Sequence, residues 1–328
     1  MNLCLCSDFN YIKYLKVTIN SIILSNKNEE INFYLIIDKT VTDNNKKEIA
    51  CLYSNNRKIK VFFINAENEL LKKFPLQKHI STATYYRILL PSILPETIDK
   101  ILYVDSDILC VDKISELYNT TIENYSVCAV RDAFNDDITF YNRLDYPVQN
   151  GYFNAGVLLI NLRYWRKNNI MEKSLEYISN NPNRCLLSDQ DALNKILNGT
   201  VLWTNFRYNY LITFFDHIKN EYFSDIMLSI NYKKSLTEAM NKPCFIHFVT
   251  NCKPWHKNYK KSFKYLYKYI YEITNNEKLK YKYSIKGLKK IKWQLKFILT
   301  SLKIKKFENV IQDETYKNLE IKILNNLV

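Results

Sequence analysis

Glycine is scarce in this chain, with four among 328 residues beside seven prolines. That scarcity excludes collagenous, linker-rich and low-complexity architectures. The eight cysteines include no C-x-x-C pair, and most sit inside apolar runs such as Ser126-Val127-Cys128-Ala129-Val130. They are expected to be small buried hydrophobes in a reducing compartment, with neither a disulfide framework nor a zinc site. No apolar run approaches the ~18 residues that a membrane span requires. Met1-Asn2-Leu3-Cys4-Leu5-Cys6-Ser7-Asp8 reaches an acid too early for a signal peptide, so a cytoplasmic location is expected. Acidic residues are missing from Lys278 to Lys306, a stretch holding eleven lysines, which concentrates much of the formal net charge of +14 near the C-terminus. Such a segment suits an anionic membrane surface, nucleic acid or plain solvent.

What is present is enough apolar material, 47% of residues, to bury a sizeable core. Short apolar runs at Leu3–Cys6, Phe33–Ile37, Val61–Ile64, Ile101–Val104 and Ser126–Val130 predict strands. Helical spacing at Leu15, Ile19, Ile22 and Ile23, and the charged stretch Lys46–Leu52, predict helices between them. This alternation predicts an α/β fold with a mostly parallel sheet covered on both faces, its ligand crevice beyond the carboxyl ends of the strands. Asp8, Asp105 with Asp107, and Asp132 each follow such a strand. Three acidic stations are therefore expected around one crevice. Beyond residue 256 the chain turns tyrosine- and lysine-rich, and Leu288, Ile291, Leu295, Ile298 and Leu302 predict a basic amphipathic helix over about 285–306.

Five segments carry candidate chemistry. Asp105-Ser106-Asp107 delivers two carboxylates, one residue apart, from the end of an apolar strand. Hard divalent cations such as Mn²⁺ or Mg²⁺ take oxygen ligands of this kind, although acids at strand ends also serve loops and caps. His247 leaves the apolar Cys244-Phe245-Ile246 run and suits a third metal ligand or a core histidine. Lys253, in Lys253-Pro254-Trp255-His256, suits a phosphate contact or a solvated surface. In Phe153-Asn154-Ala155-Gly156-Val157-Leu158 the small residues allow close backbone approach and Asn154 suits a hydroxyl-rich ligand; a simple turn into a buried strand fits as well. Ser188 or Asp189 is expected to cap a helix, which leaves Gln190 unexplained. A helix over His79–Arg87 would align His79, Ala83 and Arg87, with Arg87 forking onto a phosphate or forming a salt bridge to the sheet.

Taken together and in order, Ser7-Asp8-Phe9-Asn10-Tyr11, Arg87, Asp105-Ser106-Asp107, Phe153–Leu158, Asp189-Gln190-Asp191 and His247 with Lys253–His256 resemble glycosyltransferase family 8. The similarity runs from Met1 to about His256 and looks most like bacterial lipopolysaccharide and lipooligosaccharide galactosyl- and glucosyltransferases. The resemblance implies a Rossmann-like nucleotide-sugar transferase domain over residues 1–256, followed by a basic, tyrosine- and lysine-rich helical tail over 257–328. It implies Mn²⁺, with Mg²⁺ as substitute, a UDP-galactose or UDP-glucose donor, a saccharide or glycolipid acceptor, and retention of configuration. On matching positions it implies Asp8, Asn10 and Tyr11 at the nucleotide and Lys253 at its diphosphate. Asp105, Asp107 and His247 fall on the metal, and Arg87, Asn154, Ala155, Asp189 and Gln190 around the donor sugar. Asp189, Gln190 and Asp132 fall at the reacting centre, and His79, Asp132 and Thr250 toward the acceptor.

Two departures stand out. The family usually carries a glycine near the middle of the stretch between His247 and Lys253, where this chain has Thr250. Leu187, before Ser188-Asp189, lies where acceptor recognition varies. The resemblance further implies a tail that holds the enzyme peripherally on the inner face of the cytoplasmic membrane, with Trp293 and Phe297 at the interface. A degenerate sugar-nucleotide-binding relative and a basic nucleic-acid-binding protein are the alternatives. Intact Asp105, Asp107, His247 and Lys253 disfavour the first, and acids gathered after strands disfavour the second, so no nucleic-acid partner is expected.

Overall fold

A computed structural model describes residues 1–65, 82–132, 135–214, 232–284, 289 and 314–327. His79, Trp293 and Phe297, and with them nearly all of the expected helix at 285–306, lie outside the described residues. The described chain forms two compact units, Met1–His247 and Phe248–Val328.

The first unit is built on ten strands: β1 (Asn2–Ser7), β2 (Ile31–Ile37), β3 (Ile59–Asn65), β4 (Lys100–Val104), β5 (Ile108–Cys110), β6 (Val127–Arg131), β7 (Phe153–Asn161), β8 (Val201–Trp203), β9 (Tyr210–Leu211) and β10 (Phe245–His247). Seven of them make one sheet in the order β3-β2-β1-β4-β7-β6-β8. Every neighbouring pair is parallel except the two that involve β7. The expected α/β fold with a mostly parallel sheet is therefore present. Each predicted strand falls within an observed one or is displaced by a single residue. The helix Ile12–Ser25 contains the predicted apolar stripe, with Leu15, Ile19 and Ile22 wholly buried.

Strands β1 and β4 read as unbroken apolar runs because they lie in the middle of the sheet, covered on both faces. Strand β3 is the edge, and its burial alternates accordingly, with Phe62 outside stacking on Tyr34 at 5.0 Å. The parallel direction of β1, β4 and β6 brings Asp8, Asp105 and Asp132 to one edge of the sheet, as expected. The reversed β7 brings its first residues, Phe153 and Asn154, to that same edge.

Of a second sheet of three strands, in the order β5-β10-β9, only β10 has a counterpart in the sequence reading, as the apolar strand that His247 leaves. Its strands have two or three residues each, too short for apolar periodicity to register. The Asn154-Ala155-Gly156 segment lies inside the buried strand β7, so it is not a turn leading into one. Residues Thr82–Leu89 form a 3₁₀ helix, whose three-residue repeat does not align positions four apart.

The second unit contains the helices Lys264–Asn275 and Glu314–Leu327, the helical C-terminal segment anticipated above. Among the described residues no helix is long and apolar enough to cross a membrane. Cys4, Cys6, Cys110, Cys128, Cys185 and Cys244 are buried thiols, Cys51 is exposed, Cys252 is intermediate, and none of the eight is in a disulfide.

Candidate active site

The site starts where the chain changes sheets. Asp105 continues the ladder one residue beyond β4 by donating its N–H to Gly156 O at 2.8 Å. Ser106 turns inward and donates to Cys6 O at 2.7 Å, leaving the carboxylates on either side of it directed outward. The chain then enters β5, which pairs with β10 so that Ile108 stands opposite His247. A histidine about 140 residues away in sequence thus arrives beside Asp107.

The ligand atoms of Asp105, Asp107 and His247 lie within 4.8 Å of one another. His247 Nε2 is 3.3 Å from Asp107 Oδ1 and 3.9 Å from Asp105 Oδ2. Its other nitrogen, Nδ1, is 3.0 Å from Asn209 Oδ1, an acceptor, and therefore carries the proton. Nε2 then faces the two carboxylates, a position from which its lone pair can join them in holding a cation. Two carboxylate oxygens and an imidazole nitrogen form a donor set that suits Mn²⁺. Asp105 is already half committed, because its Oδ1 accepts from Tyr103 Oη at 2.7 Å and Arg87 Nη2 at 3.2 Å. Gly156 makes room for the imidazole: a methyl group there would overlap His247 Cε1 and come within 2.6 Å of Nδ1.

Arg87 is buried with all three guanidinium nitrogens engaged. Nε meets Asp189 Oδ2 at 2.7 Å, Nη2 meets Asp105, and Nη1 donates to Ala155 O. Its guanidinium also covers the Tyr103 ring at 4.6 Å. Burial pushes the Asp189 carboxyl up to about 7, against the opposing pull of Arg87. Burial would lower Arg87, but Asp105 and Asp189 hold it above its ordinary range.

Gln190 now has partners. Its Oε1 accepts from Ala155 N at 2.9 Å, and its Nε2 donates to Asp132 Oδ2 at 3.1 Å and lies 3.3 Å from Tyr152 Oη. Asp132, 2% exposed, also receives Asn154 Nδ2 and Asn135 Nδ2, each at 3.1 Å. It therefore sits behind Gln190 and Asn154 as a common acceptor. Ser188 stands at the cap position just before the helix Asp189–Leu197, at φ +54°, but its side chain makes no capping bond. Asp191, three residues in, does the holding, with a forked ion pair to Arg143 at 2.7 and 3.1 Å and bonds from Tyr152 Oη and Leu187 N. Asn194 clamps both backbone groups of Phe153 and so ties this helix to β7. Ser188 at positive φ is a strained turn held by these contacts, next to the two residues with the most exacting positions.

Asp8, Asn10 and Tyr11 lie on the rim. Asp8 Oδ1 accepts from Tyr11 N at 3.0 Å, Asn10 and Tyr11 are exposed, and Tyr11 meets Tyr14 edge-on. Although the Tyr11 ring is 38% exposed, partial burial of its hydroxyl and the charges of Asp107, Asp8 and Asp105 raise its pKa. In the second unit, Lys253 Nζ donates to Phe248 O at 2.7 Å, and its backbone N–H donates to His256 Nδ1. Thr250 has φ +87°, a conformation that glycine adopts freely and a β-branched residue rarely. The loop has kept a glycine-like backbone at the position where this chain departs from the family.

Sequence reasoning did not find Asn209, Tyr103, Tyr152, Asn194 or Arg143. Asn209, Tyr152, Asn194 and Arg143 work through contacts between segments far apart in sequence, whereas Tyr103 reaches Asp105 two residues on. Asp191 lies in the Asp189-Gln190-Asp191 segment, where sequence alone gives it no role of its own.

This fold and this cluster are those of a sugar-transferring enzyme. The chain belongs to glycosyl transferase family 8, whose model matches residues 2–259. It is 31% identical over 259 residues to a lipopolysaccharide 1,2-glucosyltransferase of Escherichia coli, covering 78% of this chain and 73% of that one. It is 26% identical over 259 residues to a lipopolysaccharide 1,3-galactosyltransferase of Salmonella typhimurium, covering 76% and 71%. The solved galactosyltransferase LgtC, in complex with donor and acceptor sugar analogues, superposes with a TM-score of 0.74 at 26% identity, over 83% of this chain and 96% of that one.

Proposed function

We propose that this chain is a retaining hexosyltransferase that moves galactose or glucose from a UDP-sugar to a saccharide acceptor in surface-glycan synthesis, with lipopolysaccharide as the leading class. The observation that carries the reading is the imidazole nitrogen of His247 turned toward Asp105 and Asp107. These three residues would hold Mn²⁺, or Mg²⁺ in its place, and a bound cation would neutralise charge on the departing nucleoside diphosphate. Asp8, Asn10 and Tyr11 would take the uridine, with Tyr11 stacking on the base, and Lys253 the diphosphate. Arg87, Asn154, Ala155, Asp189 and Gln190 would bound the donor sugar. Asp132 would act through Gln190 and Asn154, and His79 and Thr250 would face the acceptor.

Front-face transfer is favoured. A double displacement needs a free nucleophile behind the sugar. Gln190 Oε1 accepts a backbone N–H, and Asp189 is engaged by Arg87, so both are better placed to stabilise charge than to attack. The departing phosphate would then take the acceptor proton. A sugar adduct trapped on Gln190 or Asp189 would overturn this route.

The transferase domain is read as residues 1–256 and the basic tail, 257–328, as the peripheral attachment to the inner face of the cytoplasmic membrane. Deleting residues after Lys278 should release the protein from anionic vesicles while sparing transfer to a soluble acceptor. The functional test is a screen of UDP-sugars for manganese-dependent hydrolysis without acceptor. Turnover of UDP-galactose or UDP-glucose is expected, and no turnover of any UDP-sugar would sink the reading.

A further inference from the structure

Asn209 is buried at 0% exposure, at the end of the 3₁₀ turn Phe206–Asn209. The next residues form β9, which pairs with β10 so that Tyr210 stands beside Ile246 and Leu211 beside His247. The small sheet therefore sets Asn209 against the imidazole, with Oδ1 3.0 Å from His247 Nδ1.

An amide can present either end, so its direction must come from its neighbours. Asn209 Nδ2 donates to Asn154 Oδ1 at 2.8 Å. Asn154 cannot turn over, because its Oδ1 also accepts from the backbone N–H of Gly156 at 3.0 Å and its Nδ2 donates to Asp132 Oδ2 at 3.1 Å. The chain of bonds thus ends at a backbone N–H, which only donates, and at a carboxylate, which accepts. Reversing Asn209 would set its oxygen against the Asn154 oxygen. Only one direction satisfies every group, and it gives His247 an acceptor at Nδ1.

We propose that Asn209 is a positioning residue that locks His247 in the Nδ1–H tautomer, with Nε2 turned toward Asp105 and Asp107. The proposal rests on the metal reading above for its purpose but not for its geometry. A buried acceptor behind a ligating histidine fixes the ring orientation and sharpens the ligand before any cation arrives. The same network joins Asn209 to Asn154, Asp132 and Gln190, so the metal ligand and the sugar-facing amides share one rigid frame.

The test is the ¹⁵N spectrum of His247 in the metal-free full-length protein, at a pH where imidazole is neutral. The Nδ1–H pattern is expected in the wild type, and an Nε2–H or averaged pattern overturns the proposal. Asn209→Leu should lose the fixed tautomer and weaken Mn²⁺ binding by about 10–100-fold, read by titration of the free-ion signal. Asn209→Asp, which keeps an acceptor at Nδ1 but sets its other oxygen against Asn154 Oδ1, should restore the tautomer and only part of the affinity. A folded Asn209→Leu protein with the Nδ1–H pattern and unchanged Mn²⁺ affinity would also overturn it. An Nδ1–H wild type that binds no Mn²⁺ upholds the role of Asn209 and breaks the metal reading instead.

Discussion

The two halves of the site differ in how deeply they are buried and in how densely their groups are tied to one another. Around Gln190 the polar side chains are tied to one another: Asp132 accepts three side-chain amides, Arg87 uses three nitrogens, and Asp191 takes Arg143, Tyr152 and a backbone N–H. Around Asp107, Asp8 and Tyr11 the residues lie nearer the surface, and two carboxylates lie together with an imidazole in an arrangement that suits a cation. The densely tied half is preorganised, so ligand binding there costs little ordering of the protein. The shallower half is completed by its ligands. Substitutions in the first should therefore affect folding and catalysis together, and substitutions in the second should affect catalysis or binding with the fold intact.

The largest effect is expected at Asp107. Asp107→Asn should lower kcat/KM by at least ~10³-fold and abolish saturable Mn²⁺ binding, with a melting temperature close to wild type. A large fall in melting temperature would move Asp107 into the structural half. Next comes Arg87→Leu, which strands Asp189 and half of Asp105 beside a lost cation. A destabilisation on the order of 3 kcal/mol in denaturant unfolding is expected, along with loss of activity. An inactive Arg87→Leu protein of unchanged stability would erase the contrast between the halves. Tyr11→Ala should raise KM for the UDP-sugar about tenfold, the worth of one stacking contact, and leave kcat and stability unchanged. A fall in kcat at constant KM would place Tyr11 at the reacting end.

The smallest effect is a gain. The loop after His247 is strained at Thr250, so Thr250→Gly should stabilise the protein by about 1 kcal/mol despite the added chain freedom of glycine. Chemical denaturation would show it as a raised midpoint at constant slope. A loss of stability would mean that the Thr250 side chain holds the loop, for which its Oγ1 bond to Cys252 O at 3.3 Å is the candidate.

Much of this was readable before any coordinates. Apolar runs long enough to cross a sheet predict the strands, because a strand buried on both faces has no room for polar residues. Strand–helix alternation then makes the sheet mostly parallel and sends Asp8, Asp105 and Asp132 to one edge. Those statements depend on residues close together in sequence, or on a rule of chain direction.

The rest was decided by contacts across the fold. The reversal of β7 brought Asn154 to the acidic edge, and its apolar residues would read the same in either direction. The short strands β5 and β10 carried His247 to Asp107, and three residues hold too little periodicity to announce a sheet. The small residue Gly156 permits a close approach on sequence alone, but only packing makes the approaching group the His247 ring. Asn209 marks the limit of sequence reading most plainly. As an amide in the turn Phe206-Arg207-Tyr208-Asn209 it signals nothing, because its role depends on which of its two ends faces which neighbour, and tertiary structure supplies those neighbours.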